Sequence, residues 1–282
     1  MSDGPALLRS MLYIPASKPR AMDKARGLDC DAIIFDLEDA VAPDEKPDAR
    51  AALAEELARG GFDGRLRLVR VNGAGSPWHD DDLSAVADMV CDAVLVPKVE
   101  RTGTVDEAHA ATRKPVWAMI ETPRGVLNAQ ALADHAQMAG FVLGTNDLAK
   151  ELGATTGDRA AMQVAIQTTL LAARAAGIFC LDGVFNAFRD EDGLRAECAE
   201  GRGLGMDGKT LIHPAQIAVA NAVFAPTAEE TDLARRQIEA YDAALARGEA
   251  VAVVDGRIVE ALHIVTARAT LAKADAIKER AA

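Results

Sequence analysis

The chain has 282 residues, with 31 Lys and Arg against 43 Asp and Glu and a formal charge of −12. Binding a phosphate backbone needs a basic face, so nucleic acid is excluded as the general partner, while a small anion held by a few local cations is not. The composition, 50% hydrophobic and 26% charged, is that of a soluble globular protein of one large α/β domain or two small ones. No stretch approaches the roughly 20 apolar residues of a membrane span. MSDGPALLRS at the start lacks the apolar run of a secretory leader. Cys30, Cys91, Cys180 and Cys198 form no CxxC pair, which points to reduced thiols in a cytoplasmic protein with no membrane partner, rather than to a zinc or disulfide framework.

Short runs rich in Val, Ile, Leu and Met predict strands at 10–16, 32–37, 65–71, 93–98, 116–121, 141–145, 178–185 and 209–213. They show little period-two alternation, as expected of strands covered on both faces. Ala-rich charged segments between them predict helices, among them 48–59, 123–138, 160–176 and 191–201. Eight strand–helix units in a chain of this length fit a (β/α)8 barrel, with an open doubly wound sheet as the alternative. His213-Pro214 opens a further helix to about 224, and Ala225-Pro226-Thr227 marks a boundary. Residues 1–225 therefore read as the barrel. Residues 226–282 read as a helix, an Asp255-Gly256 hairpin over 251–259 and a last helix from about 260, forming a lid or an inter-subunit element.

Residues 203–210, GLGMDGKT, match the phosphate-loop pattern as a string. That loop needs a strand before it and a helix after it, and here the order is reversed, so a helix C-cap and a turn are the better reading.

Active sites of such barrels lie at the C-terminal ends of the strands. The residues leaving the predicted strands there are Asp36, Glu38 and Asp39; Arg70 and Asn72; Lys98 and Glu100; Glu121; Asn146 and Asp147; Asp182; and His213. Glu121 and Asp147 leave adjacent strands, within reach of one cation. Oxygen donors without Cys or a His pair select Mg2+, or Mn2+, over zinc. Taken singly, each acid also reads as a helix cap or strand end. Arg70, inside RLVRVNG, suits a carboxylate or enolate oxygen, or else an ion pair with Glu38 or Asp39. Lys18, Arg20, Lys24 and Arg26 form a local basic rim suited to a phosphate-bearing substrate, or a solvated helix face. The amides of Thr122-Pro123-Arg124-Gly125 open a helix towards the same rim. His79, His109 and His135 read as surface residues without partners, and His213 as a packing residue.

The stretches LYIPASKPRAMDKA, DAIIFDLEDAVAPDEKPDAR, VRVNG, VLVPKVE, MIETPRGV, GTNDLAKELG and DGKTLIHPAQI occur in this order between about residues 9 and 225. Together they resemble the citrate lyase beta subunit and malyl-CoA lyase family, including citramalyl-CoA lyases. The resemblance implies a phosphoenolpyruvate/pyruvate-domain-like (β/α)8 barrel, a homotrimer or hexamer, using Mg2+ to cleave or form a carbon–carbon bond in a β-hydroxyacyl-CoA thioester. By the same resemblance, Glu121 and Asp147 hold the metal, Arg70 stands at the reacting centre, and Lys18 and Arg20 lie in the loop facing CoA; from the residues themselves, Glu38 and Asp39 are expected to support Arg70. From their positions at the strand exits and the helix start, Thr122, Pro123 and Asn146 are expected to bind substrate, the helix amides holding its carboxylate. Two positions depart from the pattern. Many relatives carry an Asp in a tail motif like GKMID as acid/base, where this chain has GRIVE, ending in Glu260; and Asn186 stands where an acid is expected. The alternatives are thioester hydrolysis, a keto-acid aldolase without CoA, and a catalytically silent subunit.

Overall fold

The computed structural model describes residues 7–155 and 157–281. Strands β1 (Ser10–Pro15), β2 (Ala32–Asp36), β3 (Leu66–Arg70), β4 (Ala93–Val96), β5 (Val116–Ile120), β6 (Met138–Leu143), β7 (Phe179–Asp182) and β8 (Gly208–Leu211) pair in sequence order into a closed parallel barrel. The barrel shuts where Ser10 of β1 lies beside Lys209 of β8. Both faces of the strands are covered: every residue of β2, β4, β5 and β8 is buried. This explains why the strands carry no hydrophobic alternation in sequence.

Within the barrel, alternate residues form one cluster: Met11, Ile34, Leu68, Leu95, Trp117, Met119, Val142 and Leu181 among them. Side chains change face at each step along a strand. Two residues beyond this layer, Tyr13, Asp36, Arg70 and Glu121 therefore share the interior parity and emerge at its C-terminal end. Residues one step off, such as Ser10, Asp182 and Lys209, turn towards the surrounding helices.

Several expected bounds are corrected. The single helix expected over 123–138 is two short ones, Pro123–Leu127 and Ala129–Ala133, separated at Asn128, whose ψ of 4° leaves the helical region. Met138 instead opens β6, because the β5–β6 ladder starts at Val116 and Met138. Strand β4 ends at Val96 rather than at 98, since Lys98 has a left-handed backbone. Strand β7 ends at Asp182, short of 185. In GLGMDGKT the helix Glu191–Leu204 stops at Gly205, whose φ of 103° suits glycine, and β8 follows. That is a helix end, not a phosphate loop.

Leu8–Ala222 make one compact unit, and a second begins at Val223. In the second, Thr227 caps the helix Ala228–Ala246 reciprocally with Glu230. Strands β9 (Ala252–Val254) and β10 (Arg257–Val259) turn at Asp255-Gly256, both with positive φ, and the helix Ala261–Ala281 follows. Ala244, Ala252, Val254, Val259 and Ile264 form its core. Among the described residues no helix is long and apolar enough to cross a membrane. All four cysteines are buried, and burial pushes the thiols of Cys91 and Cys198 up to about 11.

Candidate active site

A cavity of about 340 Å³ opens at the C-terminal end of the strands, lined by Tyr13, Asp36, Asp39, Arg70, Met119, Glu121, Asn146, Asp147 and Asn186 together with small and apolar residues. All of them belong to the barrel unit.

Arg70 lies directly across the β2–β3 ladder from Asp36. Its Nε and Nη2 donate to the two carboxylate oxygens of Asp36, each at 2.7 Å. This paired fork fixes the guanidinium plane. Nη1, on the remaining edge, lies 2.9 Å from Glu38 and 3.3 Å from Asp39, and the Tyr13 ring lies 4.9 Å from the guanidinium carbon. Burial alone would lower the pKa of Arg70; Asp36 and the other acids outweigh it and hold the group well above its ordinary value. Asp36 also accepts from the amides of Glu38 and Ala40, and Lys46 donates to the carbonyls of Leu37 and Glu38. The loop carrying Glu38 and Asp39 is therefore tied down from both sides.

Glu121 is 1% exposed. Its Oε1 accepts from the Lys98 amide at 2.8 Å. On its other side the backbone of Gly144 is so close that any Cβ there would strike Oε2 and Cβ of Glu121. Burial, then the charge of Glu38 opposed by Lys98, then Asp147, push the Glu121 carboxyl up to about 7. Asp147, in the first turn of the helix Thr145–Leu152, is half-buried on the same cavity. Burial likewise raises Glu38, which bonds Lys98 Nζ at 3.2 Å.

This donor set fits Mg2+. Its oxygens are hard, neither thiol nor imidazole is among the residues lining the cavity, and the acids near Glu121 outnumber the local cations. Among the described residues no group of three or more His, Cys, Asp or Glu is placed to hold a metal. A pair of carboxylates suits Mg2+, which leaves its other positions to water and substrate.

Asn146 and Asn186 exchange amide hydrogen bonds of 3.2 and 2.8 Å across the rim, joining the exits of β6 and β7. The other sequence expectations are met elsewhere in the molecule. Lys18 and Arg20 are exposed at the start of the helix Pro19–Ala25 and do not line the cavity. Arg26 is neither a rim cation nor a solvated face: it pairs with Glu56 at 2.6 Å and lies over the Phe62 ring. Thr122 Oγ1 accepts from the Gly125 amide at 3.0 Å, so that amide is already occupied, and neither Thr122 nor Pro123 lines the cavity. Glu260 belongs to the second unit and is exposed, with its amide donating to His263 Nδ1.

Four corrections concern polar residues. Asp182 is not on the rim; it is buried behind β7 against Lys209 and Arg159. His79 is buried, with Nδ1 2.7 Å from the Asn72 carbonyl, and His135 pairs with Asp106. His109 is also partnered, at 2.9 Å from the Lys114 carbonyl. His213, by contrast, accepts from the Ala215 amide and packs on Phe188. Tyr13, Met119 and the pairing of Asp36 with Arg70 are absent from the sequence reading; the signal that exposes them is strand parity counted from a known interior residue.

The HpcH/HpaI aldolase/citrate lyase family model matches residues 9–214. A relative from Cereibacter sphaeroides (strain KD131), named (3S)-malyl-CoA thioesterase, is 58% identical over 95% of each chain. The citrate lyase subunit beta of Leuconostoc mesenteroides subsp. cremoris is 33% identical over 96% of this chain and 94% of its own. Among solved structures, CitE from Mycobacterium tuberculosis in complex with magnesium, acetoacetate and coenzyme A superposes with a TM-score of 0.81 at 31% identity, covering 94% of this chain and 97% of that one. The expected barrel and family both hold: the chain belongs to the HpcH/HpaI aldolase/citrate lyase family.

Proposed function

We propose that the cavity is the active site of a Mg2+-dependent enzyme acting on the CoA thioester of a short β-hydroxy dicarboxylic acid, of the malyl-CoA kind, and that it hydrolyses the thioester. The 58% identity to a malyl-CoA thioesterase, over 95% of both chains, carries this reading. Glu121 and Asp147 would hold the Mg2+, which when bound supplies Lewis-acid polarisation of the substrate oxygens.

In hydrolysis a water oxygen bonds to the thioester carbon and the carbonyl electron pair moves to oxygen. The C–S bond then breaks, and the sulfur takes the proton the water gave up. Nη1 of Arg70, whose plane Asp36 holds and which pairs here with Glu38 and Asp39, would turn to that oxyanion and stabilise it. Asn146 and the loop of Asp39 would orient the acyl chain, and Lys18 and Arg20 the phosphates of CoA. Residues 1–225 would be the catalytic body in this reading. Residues 226–282 would be the lid or inter-subunit element of a homotrimer or hexamer in the cytoplasm, with Glu260 as its acid/base group.

Carbon–carbon cleavage is the second reading, favoured by the citrate lyase beta subunit at 33% identity. There a base takes the β-hydroxyl proton, the bond between the α and β carbons breaks, and its electron pair reaches the same thioester oxygen as an enolate. Both reactions load charge where Arg70 lies; they differ in which proton is removed. Incubation with malyl-CoA and Mg2+, following free thiol and 2-oxo acid in one sample, separates them. Thiol without oxo acid is expected. Oxo acid without thiol establishes the lyase, and no turnover, unaltered by chelator, rejects both.

A further inference from the structure

Lys98 is a lysine with a φ of 52°, in the left-handed region. A residue with a Cβ enters that region at a cost, and such strain gathers at functional sites. It follows β4 and Pro97, where the chain leaves the barrel next to the end of β5. Two contacts depend on its position. Its amide donates to Glu121 Oε1 at 2.8 Å, and its ammonium, half exposed, reaches Glu38 at 3.2 Å. Along a parallel ladder an amide meets a backbone carbonyl; turned left-handed at the strand exit, this one meets a side-chain carboxylate. Gly144 closes the opposite side of the same carboxylate, where there is no room for a Cβ. Glu121 is therefore gripped between an N–H and a bare Cα, and its direction is set before any ligand arrives.

We propose that the left-handed backbone at Lys98 positions Glu121 to receive the divalent cation, so that Lys98 is a positioning residue of the site through its main chain rather than its charge. The inference rests on Glu121 being a cation ligand. Its test separates backbone from ammonium: Lys98→Gly and Lys98→Asn remove the charge but accept positive φ, whereas Lys98→Val removes the charge and resists it. Metal-free full-length proteins are titrated with Mn2+, reading free ion by electron spin resonance, with circular dichroism to confirm folding.

The glycine and asparagine variants keep the wild-type affinity, and the valine variant loses roughly 10- to 100-fold, the range for groups that orient a metal ligand. Should Lys98→Val not fold, Lys98→Ala replaces it, with its affinity expected below both glycine and asparagine. Equal affinity across the variants, or a glycine variant as weak as valine, overturns the inference. A wild-type protein that binds no Mn2+ overturns the cation reading of Glu121 and this inference with it.

Discussion

Glu121 directly follows β5 and Asp182 ends β7, and both are all but fully buried, at 1% and 0% exposure. Their surroundings are opposite. Asp182 turns outward behind β7, where Lys209 Nζ lies at 2.9 Å, Arg159 at 3.0 Å and the Gly183 amide at 2.9 Å. Lys209, itself fully buried, is shared with Glu197 and the Gly183 carbonyl. Glu121 turns inward onto the cavity, receives the Lys98 amide, and has Glu38 and Asp147 acting on it. A buried acid surrounded by donors is a structural joint, whereas one left short of positive charge beside a cavity is poised for a cation. One residue of strand parity separates the two outcomes.

Breaking the joint gives the largest expected effect. Lys209→Met removes the fully buried ammonium from between Asp182 and Glu197, leaving them to Arg159, and should cost about 3–5 kcal/mol in urea unfolding. Mn2+ affinity per folded molecule should be unchanged; a parallel loss of metal binding would merge the two regions that the comparison separates.

On the cavity side, Arg70→Lys keeps the charge but cannot reproduce the two-pronged contact with Asp36. Turnover of the thioester should fall by about 10²–10³, as when an oxyanion donor is lost. An unchanged kcat would remove Arg70 from the reacting centre.

Glu121→Gln should act on stability in the opposite sense to Lys209→Met. The Glu121 carboxyl is raised from 4.5 to about 7. Its contribution to stability is therefore fully present below about 4.5 and is lost as pH rises through about 7. Without metal, the variant should equal wild type near pH 4.5 and exceed it at pH 8 by up to about 3 kcal/mol, the shift converted at 1.36 kcal/mol per unit. Denaturation midpoints in chelator at the two pH values check the sign, and a variant less stable at pH 8 contradicts it.

The smallest effect belongs to the exposed first loop. Lys18→Ser and Arg20→Ser should change stability by no more than about 0.5 kcal/mol. They should raise KM for the CoA thioester while sparing an N-acetylcysteamine thioester, which lacks the phosphates. Equal KM changes for both substrates would detach the loop from CoA.

The barrel was legible in the sequence because eight apolar runs alternate with helical segments, and Glu121, Arg70, Asp147, Asp39 and Asn146 were legible as polar residues at strand exits. The fold brings these five to one cavity. Parity was not legible. Strands buried on both faces carry no period-two signal, so Asp182 and Glu121 looked alike until Leu181 and Met119 fixed the inward face. The ion pairs of Arg70 with Glu38 and Asp39 were legible, but its two-pronged partner was missed for the same reason: register across the ladder adds Asp36 to them. His79 looked like a surface residue because nothing local shows that the loop before it folds its ring onto Asn72. The left-handed turn at Lys98 carries no glycine or asparagine to mark it.

The most direct test is a carbon-13 NMR titration of the Glu121 carboxyl, first in chelator and then with saturating Mg2+. The expected result is a midpoint near 7 without metal and an ionised carboxylate throughout the same range with Mg2+. A Glu121 midpoint in the ordinary carboxylate range, or one that Mg2+ does not move, would contradict the assignment of this acid to a cation site.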